Sequence, residues 1–141
     1  ASNQGCPEKQ KQLVIITSEK LIIKEKVFFA TAKATILPRS FPLLNNVASV
    51  LRDHPEIQLI RVEGHTDAQG GRDYNISLSQ RRANSVKDYL IHQGVDGTRL
   101  QAKGFGPDRP ADSNKTEAGR SNNRRVEFVI RASGASNDEA E

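Results

Sequence analysis

The spacing of apolar residues changes repeatedly along the chain, and each change marks an element. Over 13–29, "LVIITSEKLIIKEKVFF", Leu21, Ile23, Val27 and Phe29 keep a period of two, so the stretch reads as β-rich. Ser40 then stands as an N-cap with Pro42 in the first turn. Leu44, Val47 and Leu51 form a helical stripe that stops at His54 and Pro55. The segment "EIQLIRVEG" over 56–64 predicts a strand with apolar residues on both faces, the pattern of a sheet's covered centre. A long helix is expected over 75–92, closed by Gly94. Next, "TRLQAKGFG" over 98–106 reads as a strand, and 107–115, rich in Pro, Asp and Asn, as a loop. Thr116 is expected to cap a short helix over 117–122. A last strand over 124–131 should turn Val126, Phe128 and Ile130 inward and Arg125, Glu127 and Arg131 outward. This succession predicts an α+β chain, an α/β sandwich with helices packed on a sheet.

Composition narrows the class. A chain of 141 residues suits one domain with a real core. No apolar run approaches the roughly 18 residues of a membrane helix. Residues 1–30 also lack the three regions of a signal peptide. The expectation is either a cytoplasmic protein or the mature portion of an exported protein. The net charge of +4 favours acidic partners. The basic residues are scattered, however, and two Tyr and five Phe leave little to stack on bases, so nucleic acid is not an expected partner. Cys6 is the only cysteine, in a polar stretch with no local base. Residues 132–141, "ASGASNDEAE", read as a disordered polar tail, which leaves 13–131 as the folded unit.

Candidate chemistry concentrates in "EGHTDAQGGRDYNISLSQRRANSVKDYL", residues 63–90. At about 100° per residue, with Leu78 as zero, Tyr89 falls at about 20°, Val86 at about 80°, Leu90 at about 120° and Ala83 at about 140°. Arg82, at about 40°, lies inside this buried arc and needs a negative partner, because an unpaired buried charge is costly. Asp67 is the nearest candidate, just past a central strand, where α/β sheets form ligand crevices. The two groups are compatible with an internal salt bridge, a catalytic pair or a clamp for a zwitterion. Catalysis has little else to draw on: His65 has no evident nucleophile beside it. The three His residues lack metal-ligand spacing. Neither "QGGR" nor "GFG" sits in a phosphate-loop frame, and "GPDRPADSN" lacks a calcium-loop pattern. No metal and no cofactor is expected.

The same residues carry a resemblance. "VEGHTDAQGGRDYNISLSQRRANSVKDYL" resembles the core signature of the OmpA-like, peptidoglycan-binding domain family, in which a strand runs into G-H-T-D and N-x-x-L-S-x-x-R-A-x-x-V-x-x-x-L opens a long helix. Asn75, Leu78, Ser79, Arg82, Ala83, Val86 and Leu90 match the helical motif position by position. "GFGPDRPADSNKTEAGRSNNRRVEF" is similar to the closing motif, including Asn123, Arg124, Arg125 and Val126, and "VFFATAKATI" to the opening strand and turn. The likeness runs over about residues 20–130. It implies a β-α-β-α-β-β domain with two main helices on a mixed sheet. It also implies non-catalytic binding of peptidoglycan at the meso-diaminopimelate of the stem peptide, in the periplasm of a Gram-negative bacterium. By that resemblance Asp67 takes the amine and Arg82 the carboxylate, and the expected ligand-binding set also holds Thr66, Phe29, Thr31, Asn75, Leu78 and Arg125.

Ala30 departs from the pattern, standing where the family often has Asp. "ASNQGCPE" resembles the end of a calcium-binding repeat region of the thrombospondin type 3 kind, which would make residues 1–12 a linker remnant and pair Cys6 with an upstream cysteine. Three roles follow from the resemblance. The first is an anchor tying an outer-membrane protein to the cell wall through an N-terminal region outside this sequence. Another is the wall-binding portion of a flagellar stator or of a wall-associated lipoprotein. The third, from another class, is an enzyme acting on peptidoglycan, for which no turnover of purified sacculi is expected.

Overall fold

In the computed structural model, residues 13–131 are described. The expected linker 1–12, with Cys6, and the expected tail 132–141 lie outside them. Five strands form one mixed sheet: β1 Val14–Ile16, β2 Lys20–Ile23, β3 Leu59–His65, β4 Leu100–Gly106 and β5 Arg125–Arg131. Their spatial order is β1-β2-β5-β3-β4; only β3 and β4 run parallel. Three helices intervene: α1 Phe41–Asp53, α2 Arg72–His92 and the short α3 Glu117–Asn123. Fold class and element order agree with the expectation. The strand predicted as central is interior, between β4 and β5, while β5 holds the middle of the sheet.

Two details differ. The β-rich stretch 13–29 is a hairpin of β1 and β2 followed by irregular chain. Its turn is built by Thr17, whose Oγ1 accepts from the Glu19 and Lys20 N–H groups and donates to the Lys20 carbonyl. Ser40 stands at the N-cap of α1, but its hydroxyl accepts from the Phe28 N–H at 2.7 Å instead of capping the helix. That bond fastens the segment before α1 to the helix start.

One face of the sheet carries the core. Leu21, Ile60, Val62, Leu100, Val126 and Phe128 meet Leu43, Leu44, Val47, Ala48 and Leu51 of α1 and Ala83, Val86 and Leu90 of α2. Each fully buried Leu or Val contributes about 1.5–3 kcal/mol. The other face is not apolar, contrary to the pattern read in 56–64. There β3 presents Arg61, Glu63 and His65, all buried, and Glu63 stands directly opposite Glu127 of β5. An arginine on each carboxylate makes the arrangement tolerable: Arg61 donates to Glu63 at 2.9 Å and Arg125 to Glu127 at 2.6 Å. Strict alternation of β3 therefore divides the sheet into an apolar and an ionic face.

Helix α2 lies close on β3 and β4 because two glycines pair there. Gly64 and Gly104 are register partners. A Cβ on Gly64 would strike the Ser79 carbonyl, and one on Gly104 the Gln80 backbone nitrogen. Polar side chains of α2 then bond to the strand itself. Ser79 Oγ accepts from the Gly106 N–H at 2.9 Å, and Gln80 holds both the Gly104 N–H and the Ala102 carbonyl. This close seat fixes the height of the next turn of α2, which carries Arg82.

Candidate functional site

A cavity of about 390 Å³ opens where the end of β3, the start of β5, the middle of α2 and the turn over 30–35 converge. Its wall includes Lys26, Phe29, Thr31, Ala32, Ser79, Arg82, Ser121, Arg124 and Arg125, and among the described residues no carboxylate lines it. Arg82 is half-buried, as its place on the helical arc predicts, but Asp67 is not its partner. Its Nε donates to the Lys33 carbonyl at 2.8 Å and its Nη2 to the Ala30 carbonyl at 3.4 Å, and the guanidinium stacks over Phe29 at 4.8 Å. Burial lowers the Arg82 pKa, and no carboxylate offsets it. A cation held by neutral oxygens at a cavity wall is oriented without being neutralised.

The carbonyls that hold Arg82 come from a turn with an unusual member. Ala32 has φ 58°, a left-handed conformation that costs a non-glycine residue about 1 kcal/mol. The Ala30 N–H bonds to the Thr35 carbonyl and the Lys33 N–H to the Ala30 carbonyl, closing the turn. Phe29 bridges to Ile36 across it. The backbone of 30–33 is thus shaped to aim two carbonyls at α2.

Asp67 sits at the end of β3, its side chain only 9% exposed. Its Oδ1 accepts from the Gln69 N–H at 3.0 Å and its Oδ2 from Arg124 Nη1 at 2.6 Å. The salt bridge open to Asp67 from the sequence therefore exists with Arg124, not with Arg82. Arg124 also donates to Glu117 at 2.6 Å, and those two carboxylates, Glu117 first, raise its pKa. Two accepted bonds leave about half of a carboxylate's roughly four acceptor positions. Thr66 braces the loop, its hydroxyl donating to the Asp67 carbonyl and its N–H to the Gly106 carbonyl. Asn75 is buried at the start of α2 and donates to the Gln69 carbonyl at 2.7 Å.

Of the eight residues expected around a ligand, Phe29, Thr31, Arg82 and Arg125 line the cavity. Asp67, Thr66, Asn75 and Leu78 do not; Asp67 reaches the wall through Arg124, and Leu78 is buried one turn before Arg82. Arg125 is already engaged by Glu127 and by the carbonyls of Arg109 and Asn123. Sequence reasoning missed Arg124 as the partner of Asp67, and it missed Lys26. The signal for Arg124 was the Arg124–Arg125 doublet, of which only Arg125 belongs to β5, while Arg124 stands at the C-cap of α3.

A further grouping was invisible to spacing along the chain. Glu63, His65 and Glu127 place ligand-type atoms within 4.8 Å of one another. The His65 ring stacks on Phe105 at 5.4 Å, neither ring nitrogen has a hydrogen-bond partner among the described residues, and Nε2 lies 3.5 Å from Glu63 Oε1. Both carboxylates already carry an arginine, so the group belongs to the ionic face.

The fold defines a class, and comparison identifies it. The sequence pattern of the OmpA family matches residues 28–124, and the chain belongs to that family. It is 43% identical over 110 residues to the probable lipoprotein YiaD of Escherichia coli (strain K12), covering 78% of this chain and 50% of that protein. It is 36% identical over 104 residues to the peptidoglycan-associated lipoprotein of Legionella pneumophila, covering 74% and 58%. Among solved structures, the cell wall anchor of the type VI secretion system (T6SS) from Pseudomonas aeruginosa superposes with a TM-score of 0.71 at 31% identity, covering 89% of this chain and 90% of that one. The chain spans about half the length of the curated relatives named here.

Proposed function

We propose that this domain binds peptidoglycan without catalysis, gripping the meso-diaminopimelate of the stem peptide, and so ties an outer-membrane protein to the cell wall in the periplasm. The single observation that carries the reading is Arg82, a buried-side guanidinium oriented by two carbonyls and a ring yet left without a carboxylate at a cavity wall. Such a group is a receptor for an anion, and its planar fork suits a carboxylate. Asp67, with acceptor positions to spare, is the complementary receptor for an ammonium, and Arg124 holds it in place. Together they suit a ligand end that bears an amine and a carboxylate on one carbon, as diaminopimelate does. Two relatives support the ligand class and role by name: a peptidoglycan-associated lipoprotein and a cell wall anchor. In this reading Phe29, Thr31 and Arg125 form the rim, Thr66, Asn75 and Leu78 hold the two receptors in register, and Ala30 contributes only its backbone carbonyl.

The test is co-sedimentation with purified sacculi. Asp67→Asn and Arg82→Ala should lose most of the binding while their far-UV circular dichroism stays at the parent's. Retained binding with lost stability would mean that the two groups only fasten the loop to the helix and the turn.

A further inference from the structure

Four cations reach the wall of the cavity, and they fall into two kinds. Arg124 is neutralised by Asp67 and Glu117, and Arg125 by Glu127. Arg82 and Lys26 form no ion pair among the described residues. Lys26 Nζ donates to the Ser121 carbonyl and, at 3.2 Å, to the Ser121 hydroxyl, so like Arg82 it is aimed by neutral oxygens. The two arrive from different elements: Arg82 from α2, and Lys26 from the segment between β2 and Phe29, steadied by α3. Two oriented cations, carried by different elements on one wall without acids among the described residues, offer two places at which an anion can be held.

We infer that Lys26 is a second anion receptor of this cavity, and that the ligand presents a second carboxylate besides the one taken by Arg82. The inference rests on the reading above and narrows it. A stem peptide ending in diaminopimelate and alanine offers two further candidates, its terminal carboxylate and the α-carboxylate of its glutamyl residue. Their chemistry is the same; the experiment separates them. The electrostatic setting supports the assignment. Burial first, and then the neighbouring Arg124 charge, lower the Lys26 pKa, with Glu117 offsetting only a fraction. An incoming carboxylate relieves both effects.

The experiment is calorimetry on the whole chain with three synthetic stem peptides: unmodified, amidated at the terminal carboxylate, and amidated at the glutamyl α-carboxylate. One of the two amidations should weaken binding to the parent by about tenfold, the effect of losing one charge-assisted hydrogen bond. Lys26→Gln should bind the unmodified peptide about tenfold more weakly and should no longer distinguish it from that amide. Lys26→Arg, which keeps the charge, should retain the discrimination and shows that loss in Lys26→Gln is not misfolding. Parent-like binding by Lys26→Gln, or an amidation effect that persists in it, overturns the inference. Failure of the underlying reading looks different: Asp67→Asn and Arg82→Ala would then bind the unmodified peptide as the parent does.

Discussion

Arg82 and Arg61 are both arginines withdrawn from water, yet they are treated in opposite ways. On the ionic face Arg61 lies on Glu63, both side chains about 6% exposed, and the neighbouring Arg125 lies on Glu127. At the cavity Arg82 is offered carbonyls and a phenyl ring. A buried cation whose partner is a carboxylate is a closed unit: breaking it harms the fold, and nothing is left over for a ligand. A cation whose partners are neutral dipoles keeps its charge available. The comparison separates residues that hold the domain together from residues that hold something else, although sequence alone shows all of them as arginines.

Variants on the two sides should therefore fail in different ways. The largest effect is expected at the ionic face, where Glu63→Gln leaves Arg61 without its buried carboxylate and should cost about 3 kcal/mol in chemical denaturation. Sacculus binding by the folded fraction should persist. If Glu63→Gln were as stable as the parent, the closed-unit view of this face would fail. Next comes Arg82→Ala, expected to weaken stem-peptide binding by about a hundredfold while lowering stability by about 1 kcal/mol or less. A stability loss as large as that of Glu63→Gln would erase the contrast between the two arginines.

Acid should act on the ionic face in particular. Burial pushes Glu63 and Glu127 upward, but their neighbours outweigh it, His65 at 3.5 Å and Arg61 for Glu63 and chiefly Arg125 for Glu127. Both carboxyls are therefore held below the ordinary value of 4.5. A carboxyl with a depressed native pKa stabilises the fold above its unfolded value, and that contribution is lost as pH falls through the native one. Urea midpoints should thus fall as pH drops below about 4.5, and less steeply for Glu127→Gln. An identical slope in that variant would remove Glu127 from the set of acid-sensitive groups. The smallest expected effect is at Ala32. Ala32→Gly relieves the left-handed backbone and should change stability by under about 1 kcal/mol, in the stabilising direction, as read by thermal melting.

Much of this was legible from the chain. The 3.6-residue period placed Arg82 on the buried arc of α2, and the structure has it half-buried there. Thr116 caps α3 as its position predicted, its hydroxyl accepting from the Gly119 N–H. What was not legible depends on register between distant strands. The pairing of Glu63 with Glu127 and of His65 with Arg125 joins residues about sixty positions apart, and no local pattern encodes it. For that reason 56–64 read as apolar on both faces when one face is ionic. The partner of Asp67 was missed for the same reason, since Arg124 reaches it only after α3 has turned the chain back. The hairpin of β1 and β2 hid behind continuous β propensity, with Thr17 and Ser18 as its only punctuation.

Arg82 as a carboxylate receptor is the claim on which the rest depends, and ligand chemistry tests it directly. Diaminopimelate and lysine place an amine at the same distance along a stem peptide, but only diaminopimelate adds a carboxylate beside it. With the lysine form Arg82 stays desolvated without an anion, a penalty of about 2–5 kcal/mol by analogy with interface pairs that lose one member. Calorimetry with the two stem peptides, identical at every other position, should show the diaminopimelate form binding at least about thirtyfold more tightly. The difference should vanish in Arg82→Ala. Equal affinity of the parent for the two peptides would contradict the receptor role of Arg82.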